Sequence, residues 1–131
     1  MSRIPVGLMR KAKRVADKDC DLSFHVVAIA LSDTGHFICA ATNRWQPAPK
    51  LSEHAEIMLL RKLFKIKAKE RFGKIHIMVI RFKKDGSTGM SKPCINCASE
   101  LIRYGINQVT WTTGTPIINH ISYDPITDLI L

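Results

Sequence analysis

The order of apolar patterns in this chain of 131 residues predicts an α/β domain: helix, strand, strand, helix, strand, helix, strand. Three observations carry the prediction. Two runs, His25–Leu31 and Ile75–Ile80, are almost continuously apolar, as strands buried on both faces are. Around them lie segments whose apolar residues recur every three or four positions, the period of an amphipathic helix. After an initial hairpin, strands and helices alternate, which implies parallel strands joined by crossovers, with helices on both faces of the sheet.

The first helix is read from Leu8, Ala12, Val15 and Ala16, which share one face, with Arg10, Lys11, Lys13, Arg14 and Lys18 mainly on the other. His25–Leu31 is the first strand, Ser32-Asp33-Thr34-Gly35 a turn, and Phe37–Thr42 the second strand of a hairpin. Asn43–Leu51 holds two prolines and no period, so it reads as a loop. Ser52 is expected to cap the second helix, with Glu53 and Glu56 in its first turn, where negative charge suits the helix dipole. That helix is expected to run through Ile57, Leu60, Leu63 and Phe64 and to end before Gly73.

Ile75–Ile80 is the third strand and Phe82–Met90 a polar loop. Pro93 opens the next helix, and Gly105 ends it at a position suited to a left-handed cap. Gln108–Thr112 is the fourth strand. From Gly114 on, too few residues remain for another crossover, a full strand and a helix, which leaves a short antiparallel strand or an irregular arm. The expectation is a mixed sheet of four or five strands in a single domain, residues 1–131.

Hydrophobic residues make up 46% of the chain and charged residues 24%, which speaks against disorder and against a coiled coil. The longest apolar run, Val26–Leu31, is far short of the roughly 20 residues that cross a bilayer. The first residues, Met1-Ser2-Arg3-Ile4-Pro5, lack the apolar core of a signal peptide, so a soluble, intracellular, cytoplasmic protein with no membrane partner is expected. Twenty basic against eleven acidic residues give a net charge of +9. Such an excess attracts a nucleic acid or a nucleotide phosphate, and charge alone does not choose between them or against a merely solvated surface.

Four cysteines in an intracellular chain do not suggest a disulfide framework. Cys20 and Cys39 read as buried, inert thiols, whereas Cys94 and Cys97 form a C-x-x-C pair with metal or redox potential. His54-Ala55-Glu56 and Pro93-Cys94-Ile95-Asn96-Cys97 each open a helix that follows a strand, so both should meet at the carboxyl ends of the strands. One imidazole and two thiolates suit zinc and leave a fourth tetrahedral position for water, the pattern of a catalytic site. Helix N-termini favour the thiolate form of Cys94 and Cys97. Glu56, two residues after His54, is within reach of that water as a general acid–base; the plainer alternative is a carboxylate that only serves the helix end. His25, His36, His76 and His120 lie outside both motifs and read as surface or satisfied histidines.

The combination H-x-E … P-C-x-x-C resembles the signature of the zinc-dependent nucleobase deaminases, the cytidine/deoxycytidylate deaminase superfamily. His54-Ala55-Glu56-Ile57-Met58 with Leu60-Arg61 is locally similar to the branch that holds the tRNA adenosine and deoxycytidylate deaminases, and Asn43 stands where that branch has a base-contacting asparagine. The likeness covers roughly residues 25 to 113. It implies a three-layer α/β/α sandwich of cytidine deaminase type, one zinc ion per chain held by His54, Cys94 and Cys97, and a homo-oligomer, dimer or tetramer. It implies Glu56 as the catalytic proton carrier, and Asn43 and the backbone N–H of Ala55 as substrate contacts. The reaction implied is hydrolytic removal of ammonia from a cytosine base, in a nucleoside, a nucleotide or a single-stranded nucleic acid. An adenosine-to-inosine deaminase acting on RNA is the alternative, and a nucleic-acid-binding module with a structural zinc is a second.

Some features depart from the RNA-editing branch. The stretch between the third strand and Pro93 is longer, the chain ends soon after the fourth strand, and Trp45-Gln46-Pro47-Ala48-Pro49-Lys50 does not copy that branch's residues. Free-nucleoside deaminases, for their part, usually carry Cys where His54 stands. Arg61, Lys62, Lys65, Lys67, Lys69, Arg71 and Lys74 could track a phosphate backbone or form a solvated helix end; Trp45 could stack on a base or pack in its loop. A thiol redox protein would use Cys94 and Cys97 but leaves His54 and Glu56 unexplained.

Overall fold

The computed structural model describes residues 6–17, 25–45, 52–83, 87–106, 108–113 and 119–121. Its helices are α1 (Val6–Asp17), α2 (Ala55–Lys65), α3 (Ala68–Phe72) and α4 (Ile95–Tyr104). Its strands are β1 (His25–Ser32), β2 (Phe37–Thr42), β3 (Arg44–Trp45), β4 (Ser52–Glu53), β5 (Ile75–Phe82), β6 (Thr88–Gly89), β7 (Gln108–Trp111) and β8 (Asn119–Ile121). The main sheet has the order β2-β1-β5-β7-β8, with β6 paired to β5 off that path. β1 is antiparallel to β2 and β5, β5 and β7 are parallel, and β8 is antiparallel to β7. β2, β5 and β7 therefore run the same way, as connections through α2 and α4 require.

Strand alternation sorts the core into two halves, because successive side chains point to opposite faces. Val27, Ile29 and Leu31 of β1 and Met78, Ile80 and Phe82 of β5 face α1, which buries Ala12 and Ala16 against them. Ala28 and Ala30 of β1, Ile75, Ile77 and Val79 of β5, and Val109 and Trp111 of β7 face the other way, onto Ala55, Leu59 and Leu63 of α2 and Ala98 and Leu101 of α4. The result is three layers, helix–sheet–helix. Small Ala28, Ala30 and Ala41 on the second face let α2 lie close to the sheet. None of the described helices is long and apolar enough to cross a membrane.

The second helix departs from the sequence expectation. It breaks after Lys65, and Lys67 adopts the left-handed conformation at φ 53° before α3 begins. Leu59 and Leu63 are fully buried, so one more turn would carry Lys67 onto the same buried stripe. The left-handed residue costs about 1–2 kcal/mol but rotates the chain so that Ala68, not Lys67, enters the core. Phe64, one of the apolar residues through which the helix is expected to run, is 77% exposed.

Two boundary expectations also shift. Ser52 and Glu53 do not belong to α2: they form β4, paired with Trp45 and Arg44 of β3, so the ends of the expected loop are a two-residue ladder. The N-cap is His54. Likewise Pro93 precedes α4, whose N-cap is Cys94. Gly105 does close α4 in the left-handed region at φ 94°, its N–H donating to the carbonyls of Leu101 and Ile102. Cys20, residues 46–51 and 84–86, and the arm after Ile121 lie outside the described residues.

Candidate metal centre

α2 follows the carboxyl end of β2, and α4 follows that of β5 by way of β6, so both helices start at one edge of the sheet. Each begins with a chemically active residue in the capping position. His54 (φ −73°, ψ 147°) and Cys94 (φ −69°, ψ 168°) are both extended, and neither side chain caps its helix. A capping side chain would contribute roughly 0.5–2 kcal/mol per helix, so two helix starts forgo that gain. Their side chains turn instead toward each other.

His54 Nδ1 lies 3.2 Å from Cys97 Sγ and 3.6 Å from Cys94 Sγ. The three donor atoms all fall within 4.8 Å of one another. Zinc–nitrogen and zinc–sulfur bonds of about 2.0–2.1 and 2.3 Å at tetrahedral angles require a nitrogen–sulfur edge of about 3.6 Å. The two edges observed fit a single ion. Among the described residues the group consists of these three side chains. His54 and Cys94 are exposed and Cys97 is buried, so the cluster is rooted in the α2–α4 contact and open toward solvent.

The electrostatics fit a cation as well. Burial pushes the Cys97 thiol well above its usual value, and the carboxylate of Glu56, the neighbouring Cys94 and Glu100 push it further. A divalent cation among these groups removes the penalty, because it favours each deprotonated ligand. Glu56 is 5% exposed. Desolvation raises its carboxyl, while its own backbone N–H and the nearby His54 pull it back. Glu56 is thus buried, and near enough to His54 and Cys97 for their charges to act on one another.

Asn43 is buried at the end of β2, where its Oδ1 accepts from the N–H of Val26 (2.9 Å) and its N–H donates to the Val26 carbonyl (3.0 Å). Its carboxamide oxygen is therefore spent on the sheet, and its amino group is what remains to offer. Ala55, fully buried, is the first residue of α2, so its backbone N–H is one the helix itself does not use. The remaining histidines hold no second cluster among the described residues. His36 contacts Thr34 Oγ1 (2.7 Å) and His76 contacts Thr110 Oγ1 (3.3 Å), whereas the buried Nδ1 of His25 finds no hydrogen-bond partner. Cys39 is half-buried, and burial raises its thiol, against a smaller opposing pull from Lys62, consistent with an inert group.

Nothing in the sequence spacing singles out Ser91 and Thr112, yet both are buried polar residues beside the cysteine loop. The usable signal was compositional: hydroxyl side chains at the end of an apolar strand and just before Pro93. The seven basic residues from Arg61 to Lys74 are all exposed. Several of them are engaged locally, Lys62 with the Ala40 carbonyl (2.7 Å), Lys69 with that of Tyr104 (3.2 Å), Arg61 with Met58 Sδ (3.8 Å) and Arg71 with the Phe72 ring (5.5 Å to its centre).

Residues 5–113 match the family described as the cytidine and deoxycytidylate deaminase zinc-binding region. No curated protein sequence is matched. Among solved structures, the chain is similar to a cytidine deaminase from Burkholderia pseudomallei, at 23% identity and a TM-score of 0.66, covering 93% of this chain and 95% of that one. It is similar to the cytidine deaminase of Mycobacterium tuberculosis at 18% identity and a TM-score of 0.59, over 89% and 90% of the two chains. A dCMP deaminase from the cyanophage S-TIM5 aligns at 16% identity and a TM-score of 0.57, over 96% and 92%. These likenesses share the three-layer fold described above.

Proposed function

The chain belongs to the cytidine and deoxycytidylate deaminase family, and from that premise we propose that it hydrolyses the 4-amino group of a cytosine base, giving uracil and ammonia. The observation that carries the reading is the convergence of His54, Cys94 and Cys97 at two helix starts with Glu56 buried beside them. In this reading the first three hold one zinc ion. Zinc, when bound, supplies a hydroxide source near neutral pH. Glu56 would take one proton of the attacking water to N3 of the ring, and then carry the second, from the new hydroxyl on C4, to the amine that leaves. The new bond joins the water oxygen to C4; the bond that breaks joins C4 to the amino nitrogen; water and cytosine balance uracil and ammonia.

Substrate positioning falls to groups already fixed by the sheet. Asn43, held by Val26, offers its amino group to the sugar or base. The free N–H of Ala55 orients the base. Cytosine is favoured over adenine because the similar structures named above are a dCMP deaminase and cytidine deaminases. The exposed basic surface of α2 and α3 supports a substrate that carries phosphate, as a nucleotide or as single-stranded nucleic acid. The reading includes one domain spanning the chain and self-association. A groove between α2 and α4 that is apolar at Ile57, Leu60, Phe64 and Tyr104 and edged by Arg61, Lys62, Lys65, Glu100 and Arg103 is the face this self-association would cover.

The test is a panel: zinc-loaded protein with cytidine, deoxycytidylate, single-stranded DNA and RNA, following ammonia and the change of base. Turnover of a cytosine-containing substrate is expected, with a solution mass at least twice the 14.8 kDa of one chain. Inosine formation in RNA without uracil formation would replace cytosine by adenine. No turnover on any member with zinc bound would overturn the reading.

A further inference from the structure

We propose that Ser91 and Thr112 are positioning residues that set the cysteine pair against His54. The inference rests on the zinc-site reading above and adds the part of the chain that fixes its geometry. The starting point is a fork in the sheet. On the side of β5 away from β1, β7 pairs along His76–Val79 and β6 pairs along Arg81–Phe82. Past Val79, β7 parts from β5 and the β6 segment takes its place, bridging to β7 at Met90 and Thr113, so the backbone of β5 at the changeover would lose regular partners.

The two hydroxyls close that gap. Ser91 Oγ donates to the Val79 carbonyl at 2.7 Å, which also accepts from the N–H of Thr112 at 3.1 Å. Thr112 Oγ1 donates to the Gly89 carbonyl at 2.6 Å and accepts from the N–H of Arg81 at 3.2 Å. The two oxygens lie 2.9 Å apart, and the N–H of Ser91 donates to the Thr112 carbonyl at 2.9 Å. Both residues are buried, Ser91 at 8% and Thr112 at 2% exposure, so water cannot replace a lost bond cheaply.

From Ser91 only Lys92 and Pro93 intervene before Cys94. Pro93 is buried and its φ is fixed by its ring, and Lys92 Nζ stands 5.7 Å from the Trp111 ring centre. The connection is short and stiff, so a shift at Ser91 is carried to Cys94 Sγ rather than absorbed. Zinc ligation tolerates only about 0.2 Å in ligand distance. The fork therefore acts on the metal through the start of α4, as groups that orient ligands do.

The experiment uses the full chain with Ser91→Ala and Thr112→Val, and with Thr110→Val as a control. Thr110 is a buried hydroxyl on β7 that touches His76, outside the cysteine loop. Zinc affinity is read by competition with a chromophoric chelator, melting of the zinc-free protein in parallel, and the visible spectrum of the cobalt-substituted protein as a report on ligand geometry. The expected result is a loss of about 10–100-fold in zinc affinity for Ser91→Ala and Thr112→Val with an altered cobalt spectrum. Thr110→Val should lower the melting temperature but keep both, and Thr112→Ser, which retains the hydroxyl, should restore affinity. Either variant alone decides the matter if the other does not fold. Wild-type affinity and spectrum in the variants, alongside melting losses like the control's, would overturn the inference and leave the zinc site standing. A wild-type chain that takes up no zinc would overturn the zinc-site reading and this inference with it.

Discussion

Replacing Glu56 by Gln should abolish turnover while leaving zinc content and fold intact. The amide has the shape of the carboxylate but cannot accept and return a proton, and general acid–base groups are worth about 10²–10⁴-fold in rate. The fold should not suffer, because Glu56 is 5% exposed and its ionised form is costly to bury. A neutral side chain of the same volume removes that cost, so the melting temperature should stay level or rise. Rate and metal content measured on one preparation decide the point. Near-normal turnover in Glu56→Gln would reduce this residue to a helix-end carboxylate.

Replacing Cys97 by Ala should have the largest effect on the metal. Cys97 is 1% exposed and anchors the cluster from the interior, 3.2 Å from His54 Nδ1. With one ligand gone, zinc affinity should fall by more than the roughly 10–100-fold that a supporting residue costs, and activity should vanish with it. The apo fold should survive, since Ala98 and Leu101 beside it remain packed against the sheet. In the wild type, burial and neighbouring negative charge hold the Cys97 thiol in its protonated form without a cation. Zinc uptake must then displace that proton, so affinity should climb as pH rises, by about tenfold per pH unit for each proton released. Affinity flat between pH 6 and 8 would mean that no ligand gives up a proton, contrary to thiolate ligation.

Local signals were the legible ones. β1 and β5 could be read because their apolar runs are short, continuous and flanked by turn residues, and Gly105 because its left-handed cap is a property of one residue. His54, Glu56, Cys94 and Cys97 were legible because ligand spacing within each motif is local. Pairings between distant segments were not. The turn at Ser32–Gly35 sets β1 against β2, but alternation does not place β5 on the other side of β1, antiparallel to it. Ile66 continues the apolar run past Lys65, but Ala68 takes the next place in the core, so the chain breaks there. Ser52 looks like a cap but pairs with Trp45, because the capping position belongs to a residue whose side chain faces the cysteines. The bond from Val26 to Asn43 and the Ser91–Thr112 fork join residues far apart in the chain, and no period records them.

Zinc K-edge X-ray absorption on the purified chain tests the central geometry most directly. Two sulfurs at about 2.3 Å and two nitrogen or oxygen neighbours at about 2.0–2.1 Å, one of them imidazole, are the expected shell. Four sulfurs, or a shell without sulfur, would contradict it.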